Sequence, residues 1–275
     1  MALTINPLTP TIGATVEGVS LAVLTDEDFN AIKQAFLKHL VLFFRDQAIT
    51  VDQHIAFGRR FGPLHLHPAN NDYSDSGDLP EEILPIHADE NTHRVAGDKW
   101  HSDVSCDAEP PAASILKLHT VPAHGGDTLF ANMYAAYDAL SVSMKKMLAG
   151  LTATHDGGPN YRDRAAGAGV DVSHRVYPRN SHPVVRTHPL TGQKALYVNI
   201  VFTQCIDGIP EDESKAILDF LYQHTTKAMF QCRFQWQPES IAMWDNRCAM
   251  HHAIWDYHPH IRSGHRVTVR GEKPI

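Results

Sequence analysis

The residues most able to do chemistry are His101-Ser102-Asp103, answered about 150 positions later by His251 and then by Arg262 and Arg266. In an extended segment residues i and i+2 share a face, so one short strand can present His101 and Asp103 together. Two imidazoles and one carboxylate can occupy one face of a metal ion. The opposite face then stays open to dioxygen and a chelating co-substrate, the arrangement of non-haem Fe(II) oxygenases. A second H-x-D, His87-Ala88-Asp89, lies in an acidic, loop-like stretch; the first follows Trp100 and precedes Val104, an apolar setting that could hold ligands at a strand end. With 19 histidines in the chain a lone H-x-D carries little weight, and context selects His101 and Asp103. His251 and His252 are adjacent and would face opposite sides of a strand, so only one of them joins the site. Arg262 and Arg266 lie 11 and 15 residues beyond His251, on a terminal run where Arg266, Thr268 and Arg270 alternate with Val267 and Val269. A guanidinium facing a metal-bearing cavity suits bidentate capture of a carboxylate, sulfonate or similar anion.

The elements that must position these groups are legible in outline. Thr25-Asp26-Glu27-Asp28 opens a helix, with Phe29, Ile32, Phe36, Leu37 and Leu40 at helical spacing. Val41-Leu42-Phe43-Phe44 reads as a strand buried on both faces. Thr50-Val51-Asp52-Gln53 is a capping box ahead of Ile55, Phe57 and Phe61. Ser141 caps a third helix with Met144, Met147, Leu148 and Leu151 inward, and Pro210 starts a fourth that buries Ile217, Leu218 and Leu221. Short strands are predicted over 113–118, 128–131, 195–201, 241–244 and 267–269. Many short strands with a few covering helices predict an α+β fold with a mainly β core. Residues 68–99 and 156–182 read as long loops, suited to lids over a site.

Composition excludes several classes. The chain has 275 residues, 43% of them hydrophobic, enough for one large core in a single domain over 1–275. No stretch of about 18 apolar residues predicts a membrane span. The opening Met1-Ala2-Leu3-Thr4 carries no secretory pattern. Four cysteines without CxxC or framework spacing predict neither disulfides nor a zinc knuckle and suit a reducing, cytoplasmic compartment. A net charge of -7 without a basic run disfavours nucleic acid as a partner.

Beyond these residues the chain carries longer matching segments: Ile12-Gly13-Ala14, Arg45-Asp46-Gln47-Ala48-Ile49-Thr50, Arg60-Phe61-Gly62, Trp100-His101-Ser102-Asp103-Val104, Gly125-Gly126-Asp127-Thr128-Leu129, His182-Pro183-Val184-Val185-Arg186-Thr187-His188-Pro189 and Trp244-Asp245-Asn246-Arg247. Together they resemble the taurine dioxygenase family of Fe(II)/2-oxoglutarate oxygenases, over nearly the whole chain. The resemblance implies a double-stranded β-helix (jelly roll) with helices outside. It implies that His101, Asp103 and His251 hold Fe(II), His251 being chosen over His252 by its distance from Trp244-Asp245-Asn246-Arg247. It further implies that Thr128 and Arg262 bind the distal carboxylate of 2-oxoglutarate. Arg266, His67, the Val104 amide and Phe202 would then receive an anionic substrate, and the protein would be a homo-oligomer. The implied reaction consumes O2 and 2-oxoglutarate, releases succinate and CO2, and hydroxylates a small organic anion.

Where taurine dioxygenase carries a tyrosine and an asparagine near its substrate, this chain carries Asn70 and Gly97. Both changes remove side-chain volume, and Gly97 also removes a polar contact, so an enlarged pocket and a bulkier anion than taurine are expected. An alkyl sulfonate or a sulfate ester is favoured, with an aryloxyalkanoate as the alternative. A zinc protein using the same His-Asp-His set, or a silent anion-binding module, are the readings of another class; stimulation by 2-oxoglutarate separates them.

Overall fold

A computed structural model describes residues 2–68 and 78–275, so the expectation placed on Asn70 lies outside the described residues. Its main element is a seven-stranded sheet in the spatial order Thr4–Pro7, Ala14–Glu17, Val41–Phe44, Ser240–Asp245, Ala113–Thr120, Arg262–Val269, Ile83–Ala88. All pairings in it are antiparallel except Ala14–Glu17 with Val41–Phe44.

Because successive side chains of a strand point to opposite faces, the sheet sorts its apolar residues by parity. Val41, Phe43, Leu116, Leu118, Ala242 and Trp244 turn inward, and Leu42, Phe44, Ile115, Ile241 and Met243 turn outward. The outward set is covered by the helix Asp26–His39 through Ile32, Ala35 and Phe36, and by Val51–Arg59 through Phe57. The inward set meets a three-stranded sheet ordered Gln231–Phe234, Thr128–Asn132, Ala249–Ala253. Phe43 stacks on Phe234 at 4.1 Å and packs edge-on to Phe130 at 5.6 Å, which ties the two sheets into one core. Each large apolar side chain buried there contributes roughly 1.5–3 kcal/mol. The fold is thus mixed α/β, mostly sheet, with six α-helices among the described residues. None of those helices is long and apolar enough to cross a membrane.

The caps fall where the sequence puts them: Thr25 accepts from the Asp28 amide, Thr50 and Gln53 form the reciprocal box, and Ser141 accepts from Met144. Several expectations need correction. Met147 is 44% exposed rather than inward, because the helix Val142–Leu148 is short and turns only Leu148 fully into the core. The strand expected over 195–201 stops at Leu196. Beyond it the Asn199 side chain accepts from the Val201 and Phe202 amides, a local bond that competes with strand pairing.

Neither long loop is structureless. Ile83–Ala88 is a strand within 68–99, and its Pro85 is tolerated because the strand lies at the edge of the sheet. Gly158–Gly167 is a helix within 156–182, with proline in its first turn, and Arg179–Pro183 is a strand. That helix buries few residues, Tyr161 and Ala165 chief among them, so its sequence shows no broad apolar stripe.

Candidate active site

Between the two sheets opens a cavity of about 810 Å³, its mouth included, and every residue singled out as a site candidate lines it: His67, His101, Asp103, Val104, Thr128, Phe202, His251, Arg262 and Arg266. Strand register explains this convergence. Arg266 stands opposite Leu116, and Thr268 opposite Ser114, on the inward face of the large sheet. His251 stands opposite Phe130, a fully buried residue of the inward core, whereas His252 stands opposite Leu129. Parity therefore sends His251 into the cavity and turns His252 against Trp100, the ring centroids 5.6 Å apart. The backbones of His101 and His251 exchange two hydrogen bonds of 3.0 and 2.8 Å, so an isolated bridge carries the first histidine to the second across some 150 residues.

His101, Asp103 and His251 are buried, and one donor atom from each lies within 4.8 Å of the others. His101 Nδ1 donates to the Lys99 carbonyl at 2.8 Å, which turns Nε2 toward the site, 3.6 Å from Asp103 Oδ1. His251 Nδ1 is buried without a hydrogen-bond partner among the described residues. Burial alone would raise the Asp103 carboxyl. The Arg266 guanidinium and the two imidazoles outweigh it and hold the group well below the usual carboxylate range. Burial, with His101 and Arg266 nearby, keeps the His251 imidazole well below its ordinary value and therefore neutral. A carboxylate and two imidazoles converging in this way, with the His251 ring neutral, suit a divalent ion of the Fe(II) type. His87, by contrast, is exposed, and its closest contact with Asp89 is 3.7 Å; the other H-x-D plays no part in this cavity.

Arg266 Nη1 donates to Asp103 Oδ1 at 2.6 Å, and its Nε is buried without a partner among the described residues. Arg262 donates through Nε to the Gly126 carbonyl at 3.1 Å and keeps Nη2 unpaired in the same sense. A Cβ on Gly126, whose φ is +73°, would stand 3.2 Å from Arg262 Cδ; glycine lets the turn press against the guanidinium stem. Thr128 Oγ1 accepts the Trp236 indole N–H at 3.0 Å, so its own proton remains to be donated. Thr128 and Arg262 thus bring one hydroxyl and one unsatisfied guanidinium N–H to the same wall, fit for a carboxylate.

On the opposite wall the His67 ring packs edge-on to Tyr161 at 5.5 Å. Burial, then Arg266 and Arg164, hold His67 well below its ordinary value, so it is a neutral hydrogen-bonding group rather than an imidazolium. The Phe202 ring centroid is 6.5 Å from that of His101. Val104 has a φ of 45°, a left-handed conformation that costs a β-branched residue roughly 1–3 kcal/mol and that nothing in its sequence context signals. Gly97, expected to enlarge the pocket, has a second role: its φ is +81°, and a Cβ there would come within 3.2 Å of His101 Cε1.

Sequence reasoning missed Asn160, Tyr161 and Arg164, which the helix Gly158–Gly167 turns into the cavity, and Arg94 at its mouth. Their i, i+1, i+4 spacing would have indicated one helical face had the segment been read as a helix. A second buried group, His188, Asp245 and Cys248, also gathers ligand-type atoms. There His188 Nδ1 accepts from the Leu190 and Thr191 amides, so Nε2 carries the proton given to Asp245, which Arg247 also clamps with Nε at 2.8 Å and Nη2 at 2.7 Å. That cluster is internally satisfied and structural.

The family model described as taurine catabolism dioxygenase TauD, TfdA family matches residues 4–268. A Schizosaccharomyces pombe protein named for alpha-ketoglutarate-dependent sulfonate dioxygenase activity is 37% identical over 96% of this chain and 68% of its own length. The alpha-ketoglutarate-dependent 2,4-dichlorophenoxyacetate dioxygenase of Cupriavidus pinatubonensis is 33% identical over 91% of this chain and 92% of its own. The crystal structure of a taurine dioxygenase from Burkholderia xenovorans superposes with a TM-score of 0.85 at 33% identity, covering 100% of this chain and 93% of that one. With a cavity of this make-up and matches along nearly its whole length, the chain belongs to the taurine catabolism dioxygenase TauD, TfdA family.

Proposed function

We propose that this protein is an Fe(II)- and 2-oxoglutarate-dependent dioxygenase that hydroxylates a small organic anion, an alkyl sulfonate or sulfate ester in preference. The observation that carries the reading is the convergence of His101, Asp103 and His251 within 4.8 Å of one another, beside two buried guanidiniums with N–H groups unpaired among the described residues. In it, His101, Asp103 and His251 hold Fe(II), and Thr128 with Arg262 receives the distal carboxylate of 2-oxoglutarate. Bound Fe(II) with 2-oxoglutarate supplies the activation of dioxygen, the co-substrate leaving as succinate and CO2 while the substrate is hydroxylated. Arg266 grips the anionic head of the substrate, assisted by the neutral His67 and the Val104 amide, and Phe202 packs on its carbon chain. The buried walls exclude water from the reacting carbon. A product hydroxylated next to sulfur or oxygen would collapse to an aldehyde or oxo acid with loss of sulfite, sulfate or an alcohol.

The two-sheet core is read as a double-stranded β-helix and the chain as one domain, homo-oligomeric and cytoplasmic. The parity-sorted core spanning both sheets supports the first two assignments. An aryloxyalkanoate is the second substrate reading, favoured by the aromatic rings of Tyr161, Phe202 and Trp244 in the lining. The deciding experiment measures succinate from anaerobically iron-loaded protein given 2-oxoglutarate and oxygen, across alkyl sulfonates, sulfate esters and aryloxy carboxylates. Stimulation by one class is expected. Absence of succinate with every compound, and of any uncoupled background, would return the protein to the zinc or silent-binder readings.

A further inference from the structure

Beneath Asp103 lies a chain of hydrogen bonds whose direction is fixed by chemistry at each link. The Trp244 indole N–H donates to Asn246 Oδ1 at 3.0 Å, and so does the Asp103 amide at 3.2 Å. Both are donors only, so the Asn246 oxygen must face them and its Nδ2 must face Ser114. Nδ2 donates to Ser114 Oγ at 2.9 Å. An amide nitrogen cannot accept, so the single Ser114 proton goes onward to Asp103 Oδ2, at 2.7 Å. The backbone of Asn246 is held as well, its amide by the Ala112 carbonyl at 2.9 Å and its carbonyl by Ser102 Oγ at 2.6 Å. Ser114 is 0% exposed, and Trp244 and Asn246 are 1% exposed, so no water competes for these bonds.

The two oxygens of Asp103 are thereby assigned different tasks. Oδ1 faces the His101 imidazole and accepts from Arg266 Nη1 at 2.6 Å; Oδ2 faces Ser114. We propose that Ser114, aimed by Asn246, is a positioning residue that confines Asp103 to one-oxygen ligation of the metal. This rests on the oxygenase reading above. A carboxylate free to turn can present both oxygens to a metal ion, as the bidentate carboxylates of flexible cation sites do. In a facial site that second oxygen would consume one of the positions needed by the two-point chelate of 2-oxoglutarate or by dioxygen. With Oδ2 held by a charge-assisted hydrogen bond, turning requires breaking that bond inside the core. The inward parity of the strand Ala113–Thr120, which places Ser114 opposite Trp244 on one side and Thr268 on the other, aims the hydroxyl at the carboxylate.

The test separates metal binding from chelate formation under anaerobic conditions. Wild type, Ser114→Ala and Ser114→Thr are titrated with Mn(II) by calorimetry. The Fe(II)-loaded proteins are then titrated with 2-oxoglutarate, following the visible charge-transfer absorption of an Fe(II) chelate of a 2-oxo acid. Ser114→Ala is expected to keep its Mn(II) affinity while its 2-oxoglutarate Kd rises about tenfold to a hundredfold and the absorption weakens. Ser114→Thr, which retains the hydroxyl, should restore both. A Ser114→Ala protein with wild-type 2-oxoglutarate affinity and absorption would overturn the proposal. So would parallel losses of metal affinity, chelate and melting temperature, the mark of a merely structural residue. Should the alanine variant fail to fold, the near-isosteric Ser114→Cys, a weak donor, decides: a smaller rise in Kd supports the role and an unchanged Kd refutes it. A wild-type protein that gives no chelate absorption would overturn the oxygenase reading itself, and this inference with it.

Discussion

The buried ion pair between Arg266 and Asp103 makes a sharp prediction about Arg266→Met, which removes the charge and approximately keeps the length of the side chain. The residues are 7% and 3% exposed, and Nη1 stands 2.6 Å from Oδ1. Removing one partner of such a pair leaves an uncompensated buried charge, at a cost of about 3–5 kcal/mol. The Ser114 bond to Oδ2 survives the substitution and offsets part of this, which places the expectation at the lower end. For a chain of this size each kcal/mol lowers the melting temperature by about 2–4 °C, so the metal-free variant should melt about 10 °C below wild type. A metal ion gives the Asp103 carboxylate another positive partner. In saturating Mn(II) the deficit should therefore shrink to about half, because a ligand that binds the variant more tightly stabilises it more. Scanning calorimetry of both proteins, at one scan rate with and without Mn(II), measures both numbers. A metal-free deficit below about 3 °C, or equal deficits with and without Mn(II), would refute the view that Arg266 is the counter-charge of this carboxylate.

Three further outcomes follow from other parts of the site and core. Gly97→Ala forces a Cβ into a φ of +81° at 3.2 Å from His101 Cε1, and should cost about 1–2 kcal/mol in stability while weakening Mn(II) binding about tenfold; unchanged metal affinity would show that the ring has room to shift. Asp103→Ala should abolish substrate-stimulated succinate release, and substantial residual turnover would sink the metal assignment. Buried His54, whose Nε2–H donates to the Ile115 carbonyl at 3.1 Å, is pushed down to about 4 by burial. The unfolded chain therefore takes up its proton first, near the ordinary pKa of about 6.5. Stability from this group is present above that pH and is lost as pH falls toward 4, on the order of 3 kcal/mol in all. Denaturant melts from pH 7 to pH 4 should show this slope in wild type and a flatter one in His54→Gln; parallel curves would refute it.

How far the sequence reaches is clearest in particular residues. Thr25, Thr50 and Ser141 announce their helices because a cap bonds to an amide only three residues away, and a local rule needs no tertiary context. The helix Gly158–Gly167 went unread because it is held by Tyr161 and Ala165 alone, too little apolar surface to set a period. Gly97 suggested lost volume and a lost polar contact, whereas its positive φ and its approach to His101 are properties of packing.

By itself the sequence determined the chemical inventory. It supplied an H-x-D pair able to share a strand face, a distant histidine, two arginines of equal parity, and segments that identify the family from end to end. These are spacing facts, and alternation gives direction to the two arginines on their strand. His101, by contrast, pairs only through an isolated bridge and Asp103 lies in the turn after it, so the strand expected to present both is absent and the turn brings them together. Choosing His251 over His252 needed more than alternation, because parity says that the two diverge and not which way the core lies. The resemblance chose His251 by its distance from Trp244-Asp245-Asn246-Arg247, and the pairing of His251 with Phe130 supplies the physical reason. The separate tasks of the Asp103 oxygens, the neutral state of His67 and the strain at Val104 were decided only in three dimensions. The Asp103 oxygens depend on Ser114, 11 residues away, and Arg266, 163 away, and His67 depends on burial, none of which local spacing encodes.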